Sequence, residues 1–238
     1  MKELIWHYDE KTEFWAKRVI IPLMAKKPKQ QYDGSAVNPK EEIWKKYILK
    51  SEFSVYCNNP NWYGLLICSP NNIIQCFRDK YMLEALALTV VWGSMAPAIK
   101  HIYNKPKGEI ETTLFRCFKL IEEENSVEGA WNLIVNDLAW KKVMTSKTLH
   151  FLTRSMDYDM NPPVPIDKGI IIDKVWKNFI IMVNDKFRRG IDPYPPNTWG
   201  SSTWESYNCY MTAINVWAGI KGWTTTQLEN TIYKEYQT

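Results

Sequence analysis

The sequence lacks a long apolar run. Its nearest candidate, residues 86–92, contains Thr89 and is followed by Gly93 and Pro97, whereas a helix that crosses a bilayer needs roughly 18 apolar residues. The N-terminus carries an acidic residue early and has no apolar core, which is not the pattern of a secretory signal. Hydrophobic residues make up 45% of the chain and charged residues 24%. This composition is typical of a globular protein, and we expect a cytoplasmic one with no membrane partner.

Signatures of metal and nucleotide binding are also missing. The five cysteines form no C-x-x-C pair, and His7 and His101 lie far from any carboxylate cluster with metal-ligand spacing. His150 stands among apolar residues, which favours a core histidine over a catalyst. No G-x-x-x-x-G-K-[S/T], G-x-G-x-x-G or G-x-S-x-G motif occurs. The sequence therefore predicts no metal and no cofactor, and it argues against P-loop, Rossmann and serine-hydrolase chemistry.

Aromatic side chains are abundant. The chain has 12 Trp, 13 Tyr and 8 Phe, together 14% of its residues. Most such side chains fill a core, but they also stack on nucleic-acid bases. The net charge of +4 permits nucleic-acid binding without indicating it.

Apolar residues recur at helical spacing over most of the chain, which predicts a mainly α protein. The expected helices cover 38–48, 81–103 with a bend near Gly93 and Pro97, 109–124, 127–140, 145–155, 169–183, 202–217 and 226–236. The last two begin at apparent capping boxes, Ser202 with Glu205 and Thr226 with Glu229. Minor strands are expected between 51 and 69. We expect an N-terminal part, 1–105, to pack on a core formed by 106–238.

The most informative segment lies between 138 and 176. A helix is expected to end near Trp140, a short turn to cover 141–144, and the next helix to begin at Thr145. Lys147 follows, and a proline-rich loop then ends in Val-Pro-Ile-Asp at 164–167. This segment resembles the helix-hairpin-helix DNA glycosylases, especially the 8-oxoguanine-glycosylase-like branch, over roughly residues 110–238. The hairpin glycines of that family are absent here.

The resemblance implies a helix-hairpin-helix glycosylase-like fold, with Asp167 and Lys147 as catalytic residues. The carboxylate would stabilise positive charge at the sugar carbon C1′, and a neutral lysine amine could attack that carbon to give a Schiff base. Lys147 would then need a pKa below about 10.4, lowered by burial or by neighbouring cations. The resemblance also implies further residues for the base pocket, Phe151, Trp204 and Tyr207, and for the DNA backbone, Lys141, Lys142, Thr145 and Ser146.

Several alternatives remain open. Asp167 alone could be a helix N-cap, and Lys147 alone could be a solvated residue at a helix start. The expected partner is double-stranded DNA bound by a monomer, associated with the nucleoid in a prokaryote. The excised base could be an oxidised purine, in repair, or a bulky phage-type base such as glucosylated hydroxymethylcytosine, in phage defence. The rivals are a non-catalytic helix-hairpin-helix DNA-binding module and a helical protein-interaction domain.

Overall fold

The computed structural model describes residues 69–93, 99–156, 162–166 and 203–236. These residues are 77% helical and contain no strand, so the mainly α class is confirmed for them. Their helices are α1 (Pro70–Arg78), α2 (Met82–Trp92), α3 (Ile99–Ile102), α4 (Lys107–Glu124), α5 (Val127–Leu138), α6 (Lys142–Arg154), α7 (Trp204–Lys221) and α8 (Thr225–Tyr236). None of these helices is long and apolar enough to cross a membrane. The helices predicted at 38–48 and 169–183 lie outside the described residues, as does the strand region apart from Ser69.

The chain forms two compact units, each assembled from separate segments. The first comprises Met1–Gln31, Lys141–Ser146 and Tyr158–Thr238, and the second comprises Tyr32–Trp140 and Lys147–Asp157. The division therefore passes through α6. The domain boundary expected at 105–106 lies inside the second unit and stays a prediction.

In the second unit, α2 packs on both α1 and α4, and α4 packs on α5. Between Met82 and Val90, every residue of α2 except Glu84 is buried. A helix that is apolar on all sides belongs in the centre of a core, and α2 holds that position here. The break expected near Gly93 is present, because α2 ends at Trp92.

The helix ends in this unit follow standard capping chemistry. Ser69 accepts a hydrogen bond from the backbone N–H of Asn72 and caps α1, so it is a helix cap rather than the end of a strand. Asn125 ends α4 in the left-handed conformation with φ of 55°. Ala139 ends α5 with φ of 54°, a conformation that costs a residue with a Cβ roughly 1–2 kcal/mol.

In the first unit, α7 packs on α8 across a short turn. Gly222 supplies the left-handed residue of that turn with φ of +67°. The side chains of Thr224 and Gln227 bond to each other's backbone N–H groups and form the capping box of α8. The box is therefore two residues earlier than the predicted pair, Thr226 and Glu229, and those two side chains are buried instead.

Candidate functional site

The turn before α6 is tighter than the sequence suggests. The helix begins at Lys142 rather than at Thr145, and the backbone N–H groups of Met144 and Thr145 already donate to the carbonyl of Lys141. The left-handed Ala139 reverses the chain at the end of α5, so fewer residues are needed to connect the two helices. As a result, Thr145, Ser146 and Lys147 lie within the helix and not at its exposed N-terminus.

This shift changes the surroundings of the four residues expected to contact the DNA backbone. Thr145 and Ser146 are fully buried, and their hydroxyls donate to the carbonyls of Lys141 and Val143. Lys142 is 9% exposed, and burial lowers the pKa of its amine. Lys141 is the exposed member of the set. The structure therefore does not present the two hydroxyls to a phosphate, because a helix interior and not a helix start surrounds them.

A single hydrogen bond connects the two segments that carry the predicted catalytic pair. The backbone N–H of Ile166 donates to the Ser146 hydroxyl at 3.0 Å. Ser146 directly precedes Lys147 in the chain, and Ile166 directly precedes Asp167. Asp167 itself lies outside the described residues. The bond therefore joins the residues that come immediately before the two predicted catalytic groups.

The loop before Asp167 is also fixed to α7. The Val164 N–H contacts the Met211 sulfur at 3.3 Å, and the Tyr207 hydroxyl donates to the Val164 carbonyl at 3.0 Å. Val164 and Ile166 are buried. Side chains from α6 and α7 thus hold both ends of this short segment, which restricts the backbone leading into Asp167.

Lys147 is a buried lysine and not a solvated residue at a helix start. Its side chain is 5% exposed, and its Nζ donates to the Gly93 carbonyl at 3.3 Å. The same Nζ lies 5.6 Å from the centroid of the Trp92 ring, within the range of a cation–π interaction. A polar group in a buried position needs partners, and these contacts supply them for the Lys147 amine.

The three aromatic residues expected in a base pocket have different surroundings. Phe151 is fully buried, and its ring packs edge-on against Trp92 at a centroid distance of 4.9 Å. It also contacts the ring of His150, which is buried as expected for a core histidine. Trp204 is half-buried, 5.8 Å from the ring of Tyr207. Phe151 thus occupies a core position in this structure.

Tyr207 belongs to a polar group in the first unit that sequence reasoning missed. Burial raises the pKa of Tyr207 well above its ordinary value, and the negative charge of Glu229 raises it further. Glu229 is 8% exposed, and the Thr225 hydroxyl one helical turn earlier is buried without a hydrogen-bond partner. The run of three threonines at 224–226 allows two registers for the capping box. Choosing the earlier register would have removed Glu229 from the capping box.

Within the described ranges, no three His, Cys, Asp or Glu side chains are grouped as metal ligands would be. Comparison with protein-family models, with curated proteins and with solved structures finds no match to this chain.

Proposed function

We propose that this protein is a DNA N-glycosylase that extrudes a modified base from the duplex and excises it, with Asp167 and Lys147 acting at C1′. The resemblance of the Lys147 segment and of Val164–Asp167 to the helix-hairpin-helix glycosylases motivates the proposal. The observation that carries it is the hydrogen bond between Ser146 and Ile166, which connects the residues preceding the two catalytic groups. Ser146 and Ile166 are twenty positions apart in the sequence, and they are in direct contact in the structure.

The chemistry follows from the two residue types. As the N-glycosidic bond breaks, its electron pair leaves with the base, which takes up a proton, and positive charge develops on C1′. The Asp167 carboxylate stabilises that charge. In the lyase version, the neutral Lys147 amine forms a bond to C1′ and loses a proton, and ring opening gives a Schiff base. In the monofunctional version, Asp167 activates water, which attacks the same carbon.

The surroundings of Lys147 support a role beyond solvation. A lysine that serves only as a surface charge has no need of a buried position against a carbonyl and a tryptophan face. A lysine that acts as a nucleophile must instead be held in one place within a water-poor environment. The contacts with Gly93 and Trp92 meet that need.

The test is an assay of base release on duplexes that carry single modified bases, with oxidised purines and glucosylated hydroxymethylcytosine as the first two substrates. We expect release by the wild type, loss of release in Asp167→Asn, and an adduct trapped by borohydride that is absent in Lys147→Gln. Lys119→Ala is the matched control, because Lys119 is an exposed lysine on α4. It should behave as the wild type.

The possible outcomes separate the candidate functions. Base release without a trapped adduct would assign a monofunctional mechanism to Asp167. Salt-sensitive duplex binding without release from any modified duplex would refute the glycosylase and favour the DNA-binding module. Absence of duplex binding at low salt would favour the protein-interaction domain.

A further inference from the structure

Arg154, at the C-terminal end of α6, is a half-buried guanidinium with no acidic partner among the described residues. Its Nη1 lies 3.5 Å from Nε2 of His150, on the preceding turn of the helix. A guanidinium can only donate, so Nε2 of His150 is the acceptor in this contact. Burial lowers the pKa of Arg154, and no carboxylate among the described residues opposes this effect. An imidazole satisfies one N–H group but does not neutralise the charge.

A second arginine lies at the same end of α6. The Nε of Arg78, in the last turn of α1, donates to the backbone carbonyl of Ser155 at 3.4 Å, one residue after Arg154. Arg78 is exposed and Arg154 is half-buried. Arg78 therefore contacts the backbone at the same end of α6 at which Arg154 lies. The dipole of α6 favours one cation in its last turn, but this effect is small when it is exposed to solvent.

Arg116 provides a comparison, because it is an arginine with an acidic partner. On α4, its Nη1 forms an ion pair with the Asp137 carboxylate at 2.9 Å. Arg116 is exposed, yet it has an acidic partner, whereas Arg154 is more buried and has none in the part of the chain that the structure describes. A half-buried cation with no anion beside it in the described ranges is suited to an anion supplied by a ligand.

We propose that Arg154, with Arg78 beside it, binds a backbone phosphate of the DNA substrate. This inference rests on the proposed function, because it names the ligand as duplex DNA. Arg154 lies seven residues after Lys147, on the same face of α6 and about 10.5 Å along its axis. This spacing places the phosphate near the extruded nucleotide if Lys147 acts at its C1′.

The first experiment measures duplex affinity against salt concentration for the full-length protein and for Arg154→Gln, Arg154→Lys and Arg116→Gln. One lost phosphate contact should reduce the magnitude of the log–log salt slope by about 1, on modified and unmodified duplexes alike. We expect this loss in Arg154→Gln, retention of most of the slope in Arg154→Lys, and no change in Arg116→Gln.

The second experiment alters the phosphate instead of the arginine, so its first readout, binding by the wild type, does not depend on whether a variant folds. Neutral methylphosphonate linkages are placed singly at each position on both sides of the modified base. One linkage should weaken binding by the wild type, and the same linkage should have no effect on Arg154→Gln.

Equal salt slopes in Arg154→Gln and Arg116→Gln, or a methylphosphonate scan that is flat for the wild type, would overturn the inference while base release by the wild type stood. A change in slope without base release from any duplex would retain the phosphate site and refute the glycosylase.

Discussion

Replacement of Ser146 by alanine tests whether its bond to Ile166 organises the site. The Ser146 hydroxyl is the acceptor for the Ile166 N–H, and both residues are buried. In Ser146→Ala that N–H stays buried without a partner, which costs about 1–3 kcal/mol. The Ser146 hydroxyl also donates to the Val143 carbonyl. Loss of this bond adds little to the free-energy cost, because that carbonyl also takes part in the backbone hydrogen bonding of the helix. We expect a loss of about 2 kcal/mol in the free energy of unfolding.

Thr145→Val is the matched control. Thr145 is the neighbouring buried hydroxyl, and it donates to the Lys141 carbonyl, which already accepts from backbone N–H groups. Its loss leaves no buried donor unpaired, so we expect a cost below about 1 kcal/mol. Urea unfolding at neutral pH measures both variants.

The same substitution should slow base release. Without the bond, the backbone that leads into Asp167 can shift, and a misplacement of about 1 Å can cost about 100-fold in rate. Single-turnover release at saturating Ser146→Ala should therefore fall at least about 10-fold, while Thr145→Val stays within about threefold of the wild type. Equal stability and equal rates in the two variants would refute the role given to this bond.

Three other predictions concern stability, each measured by urea unfolding. Ala139→Gly should stabilise the protein by about 0.5–1 kcal/mol, because Ala139 adopts a left-handed conformation, whereas Ala130→Gly in the helix interior should destabilise it. A loss of stability in Ala139→Gly would contradict that backbone geometry. Thr225→Val should be neutral or stabilising, because the buried hydroxyl has no partner, while Thr231→Val loses a bond to the Gln227 carbonyl and should cost up to about 1 kcal/mol. Burial raises the pKa of Cys117 from 9.0 to about 12, so its contribution to stability is complete below pH 9 and declines as the pH rises toward 12. By pH 10 the loss should be about 1–2 kcal/mol and should be absent in Cys117→Ala; the same loss in that variant would assign it to other groups.

The sequence predicted the helices whose apolar positions repeat over several turns. The expected helices at 109–124 and 127–140 differ from α4 and α5 by at most two residues at either end. Their periodicity is a local property, and Asn125 and Ser126 mark the junction with recognisable caps. Such elements need no knowledge of distant contacts.

The start of α6 was harder to predict because it depends on one unusual backbone angle. Ala139 adopts a left-handed conformation that glycine normally supplies, and no sequence rule expects it of alanine. The sequence therefore predicts a turn that ends too far along the chain, and it predicts an exposed helix start at Thr145 and Ser146. The predicted position of the capping box of α8 was wrong because adjacent threonines give the same sequence pattern in two registers.

The burial of Lys147 could not be predicted from its neighbours along the chain. Its carbonyl partner, Gly93, lies 54 residues earlier, and Trp92 comes from the same distant segment. The fully buried core position of Phe151 likewise depends on Trp92. Sequence spacing could nominate Lys147 and Asp167, but only the fold reveals the bond between Ser146 and Ile166.

The enclosure of α2 has a consequence for hydrogen–deuterium exchange. Amide protons in the middle of Met82–Trp92 lie in a helix with buried neighbours on every side, so solvent reaches them only when the whole unit opens. A peptide that covers residues 82–90 should therefore exchange among the slowest in the protein. Its exchange rate therefore reports whether the second unit is folded, without added denaturant. A variant that is folded but inactive could thus be distinguished from an unfolded one under the conditions of the activity assay.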